Sequence, residues 1–451
     1  MKSWRPFERA VAFSALLLVG AIALVLWRGD HVGARVLRSS PATGSQVAAR
    51  APVVIEFAQA MDTASVESGF SIQPATPGEF IWEGDTLRFI PRTPWQIGAE
   101  YQVQLAAGVR DQRGQRLLRP VELAFSVRTP GVAFLRLADS GYTLWAASAL
   151  DAAARQLSPG DGVFDFTVTP DGEQLIFSVV NDQAGIDLWI VGRGGGDARR
   201  LLDCGADRCF APDVAPNDQI AYNRVLAPLS PAEPYGPPRI WLLNLRSGEN
   251  LRLHADTQKI GYGPHWSPDG RWLAYYDGVA GRIVILNSSS GEELALPSQA
   301  GEVGSWAPEA EYMLFADMRR AGEQVRSQIF RASLATQDIL PFFDPQPEDA
   351  EFSGPVVSPD GQWVAMKMRA QNLTAEQLWV LPPDGSFAMV AVEEAGYLYS
   401  RYQWGSDSQA LLYHRLQLGR ADSQPSVWLW ERATSSQRLL VTEASQPLWL
   451  P

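Results

Sequence analysis

The sequence predicts an all-β protein. It is a seven-bladed β-propeller, with six or eight blades as alternative counts, preceded by a β-sandwich and a single transmembrane helix. Three observations predict it. A Pro-Asp-Gly turn between apolar runs recurs along the chain, and it recurs at a period of roughly 40–50 residues. The two ends of the repeat region carry complementary pieces of one blade.

The fullest copy is His265-Trp266-Ser267-Pro268-Asp269-Gly270-Arg271-Trp272-Leu273-Ala274-Tyr275. Pro268 presets φ for the second turn position, Asp269 tolerates the third, and Gly270 accepts positive φ at the fourth. The flanking apolar alternation makes the segment a β-hairpin. Thr169-Pro170-Asp171-Gly172 and Ser358-Pro359-Asp360-Gly361 repeat it, and Ala215-Pro216-Asn217-Asp218 does so more weakly. Trp306-Ala307-Pro308-Glu309 and Trp404-Gly405-Ser406-Asp407 are eroded copies. The turn position falls at 170, 216, 268, 308, 359 and 406, with spacings of 46, 52, 40, 51 and 47 residues. Three further strand-like runs follow each turn, as in Trp272 to Tyr276, Arg282 to Asn287 and Glu293 to Leu296. Four short antiparallel strands per period describe a propeller blade.

Residues 132 to 157 hold three strands without a leading turn, whereas Pro447-Leu448-Trp449-Leu450-Pro451 matches Pro264-His265-Trp266-Ser267-Pro268 in Pro and Trp. Joining the two fragments completes a seventh blade over 130–451 with 445–451 as its innermost strand. Such closure hides sheet edges that would otherwise template aggregation. The Ser-Pro-Asp-Gly turns and their apolar runs resemble the PD40, WD40-like repeats of TolB-type propellers over about 320 residues. That resemblance implies the fold, and it leaves the function open among binding proteins, scaffolds and the propeller domains of peptidases.

Ahead of the repeats, residues 1 to 9 are basic and Ala10 to Trp27 runs without a charge. That length just suffices for a span. The reading is an uncleaved signal anchor within residues 1–30, with a cleaved signal peptide as the alternative. The positive-inside rule then places the N-terminus in the cytoplasm and the bulk of the chain outside the cell membrane. Residues 35–129 read as a sandwich: Val53 to Phe57, Leu87 to Phe89, Tyr101 to Leu105 and Leu123 to Val127 alternate, with turns at 76–78, 83–85 and 113–114. Phe57-Ala58-Gln59-Ala60-Met61-Asp62, Leu87-Arg88-Phe89-Ile90-Pro91 and Phe125-Ser126-Val127-Arg128-Thr129 resemble the bacterial Ig-like domain of S-layer-associated proteins. The resemblance implies a spacer or tether and carries no site residues.

Charge narrows the function. Of the net −12, the first segment contributes +2 and the sandwich +1, which leaves the propeller near −15. Such a surface lacks the basic stripe that nucleic acid requires. No G-x-S-x-G elbow occurs, and His31, His254, His265 and His414 show no ligand spacing. Asp161, Asp165, Asp182 and Asp187 do not have calcium-loop spacing. Metal and cofactor are therefore not expected. Cys204 and Cys209, the two cysteines, are expected to form a local disulfide. Trp266, Trp306, Trp404 and Trp449 each stand two residues before the turn position, so they read as a packing ring.

The expected insertions are 224–238, 317–327, 367–376 and 415–425 after second strands, with 342–353 between blades. Blade geometry puts them on one face, and function concentrates in such loops. Arg224, Arg319, Arg320, Arg326, Lys367, Arg369, Arg415 and Arg420 lie there as candidate binding residues, and His265 is the candidate in the central channel. The reading is a membrane-anchored binding or scaffolding protein for a protein, peptide or cell-envelope polymer. The alternative is a propeller enzyme, a lyase or hydrolase, with a central-channel site.

Overall fold

The computed structural model describes residues 13–15, 18–20, 33–149, 153–230, 232–256, 258–321, 324–345, 349–370 and 376–451. The chain divides between Val127 and Arg128 into two compact units. The first is a sandwich of two four-stranded sheets. One is ordered Val36–Ser40, Val53–Phe57, Thr86–Pro91, Gly78–Glu83; the other Ser45–Val47, Val121–Val127, Glu100–Leu105, Phe70–Gln73. Alternate residues point inward, so Tyr101, Val103 and Leu105 are buried while Glu100, Gln102 and Gln104 face water. Trp95 lies at the centre against Tyr101 and Phe125, its indole N–H donating to the Ala51 carbonyl at 2.8 Å. One short helix, Thr63–Gly69, is absent from the sequence reading. Asp62 caps it by accepting from the Ser65 N–H at 3.3 Å, and Val66 is its buried residue.

The second unit is a β-propeller of seven four-stranded blades among the described residues. The innermost strands, in blade order, are Ser445–Leu450, Val163–Val168, Arg208–Val214, Tyr262–Trp266, Ser305–Trp306, Ala350–Val357 and Tyr397–Trp404. Blade 1 completes the ring. Leu448, Trp449 and Leu450 pair antiparallel with Ala133, Val132 and Gly131, so the last strand closes the first blade. Arg128, almost fully buried, ties down that strand's end by donating to the Pro451 carbonyl at 2.7 Å while pairing with Glu173.

The three Ser/Thr-Pro-Asp-Gly turns are held by their own side chains. Ser267 Oγ donates to Asp269 and accepts from the Trp272 N–H at 3.0 Å, while Gly270 donates to the Ser267 carbonyl at 2.9 Å. Gly270 has φ of 72°, as the turn requires. The eroded copies keep this left-handed backbone without glycine, at Asp218, Ala310 and Ser408.

Two expectations are corrected. A transmembrane helix over 10–27, and with it a single-pass place in the cell membrane, is not supported. Among the described residues no helix is long and apolar enough to cross a membrane. Most of residues 10–27 lie outside the described residues, and an apolar run is by itself no helix. Residues 317–327 are also not a loop. Tyr312–Ala321 and Gln324–Ser333 extend as one long hairpin, with Asp317 opposite Gln328 and Ala321 opposite Gln324. Cross-strand pairing continues there past the end of the core because the backbone groups of the two strands satisfy one another residue for residue up to Ala321 and Gln324.

Candidate functional site

The innermost strands line the central channel, and each begins on the face that carries the second-to-third strand connections. Register breaks interrupt most of them: between Phe210 and Asp213, Tyr262 and His265, Ser353 and Val356, Ser400 and Gln403, and Ser445 and Leu448. These bulges re-aim side chains toward the channel and free backbone groups for the next blade. Asp213 uses that freedom, accepting from the Trp266 N–H at 2.6 Å. Ser305 accepts from the Val357 N–H at 3.1 Å, and Gln403 from the Trp449 N–H at 3.1 Å.

His265 stands beside Asp213, with Nδ1 3.4 Å from Oδ2, and its side chain is 46% exposed. Burial of the imidazole within the channel lowers its pKa, but the hydrogen bond and charge of Asp213 outweigh that and leave it above the ordinary value. Asp165 lies deeper in the wall of blade 2. Its carboxyl accepts from Ser178 Oγ and, at 2.6 Å, from the Ala211 N–H. Desolvation by burial raises its pKa to about 6 against the lowering pull of these hydrogen bonds and of Arg401. The channel thus holds two acid–base groups, one partnered across blades 3 and 4 and one across blades 2 and 3.

The remaining histidines serve elsewhere. His254 shares a 2.7 Å hydrogen bond with the Tyr275 hydroxyl, and burial lowers its pKa. His414 Nδ1 hydrogen-bonds Ser400 Oγ at 2.9 Å, and its Nε2 is buried without a partner. His31 lies outside the described residues. Cys204 and Cys209 are joined by a disulfide, and the Cys204 N–H donates to the buried Asp187 carboxylate at 2.8 Å. A depression of about 570 Å³ on the face of the short turns is lined by Trp272, Glu311, Tyr312, Arg331 and Asp338, none of them a channel residue.

Four of the insertion arginines and Lys367 are neutralised where they stand. Arg224 pairs with Asp207 at 2.7 Å and lies over Trp241. Arg319 pairs with Asp317 at 3.0 Å over Phe330, and Arg369 with Glu351 at 2.6 Å. Lys367 reaches Glu376 at 3.4 Å. Arg326 is buried and donates to Gln324 at 2.8 Å. Arg415 is only 7% exposed, sandwiched between Tyr397 and Trp428 and paired with Glu394. Arg420 is exposed and donates to Gln417 at 3.5 Å, while Arg320 sits opposite Val325 near the hairpin tip. Carboxylates thus match five of these eight cations, and charge reversal at Arg415 acts on packing before it acts on any partner.

Sequence reasoning passed over Arg401. It lies on the innermost strand of blade 7, exposed, with φ of 50°. The available signal was the column five residues before the turn, where Gly263 and Gly354 occupy the equivalent places.

Residues 30–127 match the family model of the bacterial Ig-like domain. No curated protein matches the chain. Among solved structures, a puromycin hydrolase is 16% identical at a TM-score of 0.50, covering 70% of this chain and 52% of its own. A putative TolB from Agrobacterium tumefaciens is 17% identical at 0.41, covering 55% of this chain and 84% of that one. An oligogalacturonate lyase in complex with manganese is 15% identical at 0.43, covering 62% and 73%. At these identities the likeness is one of fold alone. Residues 30–127 are therefore a bacterial Ig-like domain, and residues 128–451 form a β-propeller.

Proposed function

We propose that the propeller is a recognition module that binds a protein or peptide partner on the face where the innermost strands begin. One observation carries this reading. Leu137, Tyr142, Phe164 and Val180 are exposed apolar side chains gathered on that face across blades 1 and 2. Tyr142 lies directly opposite Leu137 and pairs with Val163, and Phe164 packs edge to face on Phe210 at 5.6 Å. Contiguous exposed apolar surface beside polar loops is the usual character of an interaction site.

The test is a peptide-display selection against the full chain. Selected peptides should lose binding to the double variant Phe164→Glu, Val180→Glu while binding a control altered at Arg331. Equal binding to the wild type and the double variant overturns the reading.

A second reading is a central-channel lyase or hydrolase, favoured by the partly exposed His265 beside Asp213. A dyad of this kind supplies a general base. It predicts a turnover that His265→Ala abolishes and that peptide binding at the mouth inhibits.

A further inference from the structure

The channel wall is uneven at one level. Five residues before the turn, blades 3, 4 and 6 carry Ala211, Gly263 and Gly354, whereas blades 7, 1 and 2 carry Arg401, Gln446 and Asp165. Equivalent strands of a propeller present equivalent positions at similar height. Two adjacent blades therefore bring a guanidinium and a carboxamide to one sector of the wall, while Asp165, paired in register with Ser178 just after the blade 2 register break, lies within the electrostatic reach of Arg401. A Cβ added at Gly263 meets nothing within 4 Å, whereas one at Gly354 would meet the Tyr402 hydroxyl at 2.6 Å, so the wall is open at blade 4. Arg401's charge is felt by both Asp165 and His414.

Arg401 and Gln446 both hold left-handed backbone at φ of 50°. A non-glycine residue there costs on the order of 1 kcal/mol, a cost that the repeated bulge also carries at Ala211, with φ of 50°. Unlike Arg224, Arg319, Arg369 and Arg415, Arg401 has no carboxylate at ion-pair distance among the described residues. The oxygens of Asp165 are already engaged by Ser178 and the Ala211 N–H. On the side of the strand openings, Phe164 is half exposed and packs on Phe210.

We propose that the channel mouth binds the free terminal carboxylate of a peptide, with Arg401 and Gln446 holding the carboxylate and Phe164, Phe210 and Val180 receiving an apolar side chain next to it. This deepens the recognition reading above and rests on it. The planar guanidinium fork matches a carboxylate in two parallel hydrogen bonds, and the Gln446 amide adds a donor beside it. A propeller with a net charge near −15 repels anions in general, so an uncompensated cation on its channel wall selects where an anion can enter.

The experiment uses the full chain and a fluorescein-labelled pentapeptide ending in Phe-Leu, as the free acid and as the terminal amide, read by fluorescence polarisation. The acid should bind and the amide should bind about tenfold more weakly, the scale of a charge-assisted hydrogen bond. Arg401→Gly should lose the same factor for the acid with no fall in melting temperature, because glycine relieves the strained backbone while deleting the cation. Free acetate should displace the peptide only at far higher concentration. Equal binding of acid and amide that is lost in the Phe164→Glu, Val180→Glu variant overturns the carboxylate site and leaves the recognition reading standing. Equal binding that survives in that variant overturns both. Absence of binding by the acid, unchanged binding in Arg401→Gly, or displacement by acetate at the peptide's own concentration overturns the proposal.

Discussion

Asp165 shows how one carboxyl records its surroundings. Its pKa is raised from 3.8 to about 6, so the folded chain binds that proton more tightly than the unfolded chain. The stability it contributes is fully present below pH 3.8 and is lost as pH rises through about 6. The loss is on the order of 3 kcal/mol at 1.36 kcal/mol per unit. Denaturant titrations of the wild type and Asp165→Ala between pH 4 and 7 should show their difference in stability shifting against the wild type as pH rises. A pH-independent difference removes this account. At the same scale, the sequence located His265 on its strand but not the Asp213 carboxylate beside it, which comes from the neighbouring blade. No spacing rule links positions 213 and 265, because blade spacing varies with the length of the connections.

The tryptophans two residues before the turn are elements of inter-blade attachment as well as packing. Trp306, Trp404 and Trp449 donate their indole N–H to carbonyls of the preceding blade, at His265 (3.3 Å), Val356 (3.1 Å) and Gln403 (3.0 Å). Trp266 occupies the same place after blade 3, but its buried Nε1 has no hydrogen-bond partner among the described residues. Replacing either by phenylalanine removes similar apolar area, so the hydrogen bond separates them. Trp404→Phe should cost about 1–2 kcal/mol because the Val356 carbonyl is left unpaired. Trp266→Phe should be neutral by comparison, since it deletes an unsatisfied buried donor. Thermal melts of the two variants decide it, and equal losses would place the whole effect in packing. The ring itself was legible in the sequence as a recurring column. Its hydrogen bonds were not, because donor and acceptor belong to different repeats.

The whole propeller depends on the contact between strand Ser445–Leu450 and strand Gly131–Ala138. A ring held by one such junction is weakest there, since opening it exposes two strand edges. Deleting 445–451 should give aggregation or loss of the cooperative melt, and soluble protein with an unchanged melt would refute the closure. Arg128→Ala should lower the melting temperature without opening the ring, because it removes the clamp on the Pro451 and Asp171 carbonyls and the pair with Glu173 but leaves the strand pairing of the first blade in place.

What the sequence determined by itself was local and periodic. Pro, Asp and Gly define each turn through backbone sterics, alternation assigns each strand's buried face, and repetition of both forces equivalent blades to stack. The matching fragments at 132–157 and 447–451 extended that logic to the closure. What only the tertiary structure decided was which side chains of different blades meet. The insertion arginines looked available along the chain, yet Asp207, Asp317, Glu351 and Glu394 neutralise four of them in space. Arg401 looked ordinary, yet it stands exposed at the bulge of an innermost strand with no carboxylate at ion-pair distance among the described residues. Ion pairing depends on through-space distance between strands, and that distance is set by how the blades pack, which no single repeat encodes.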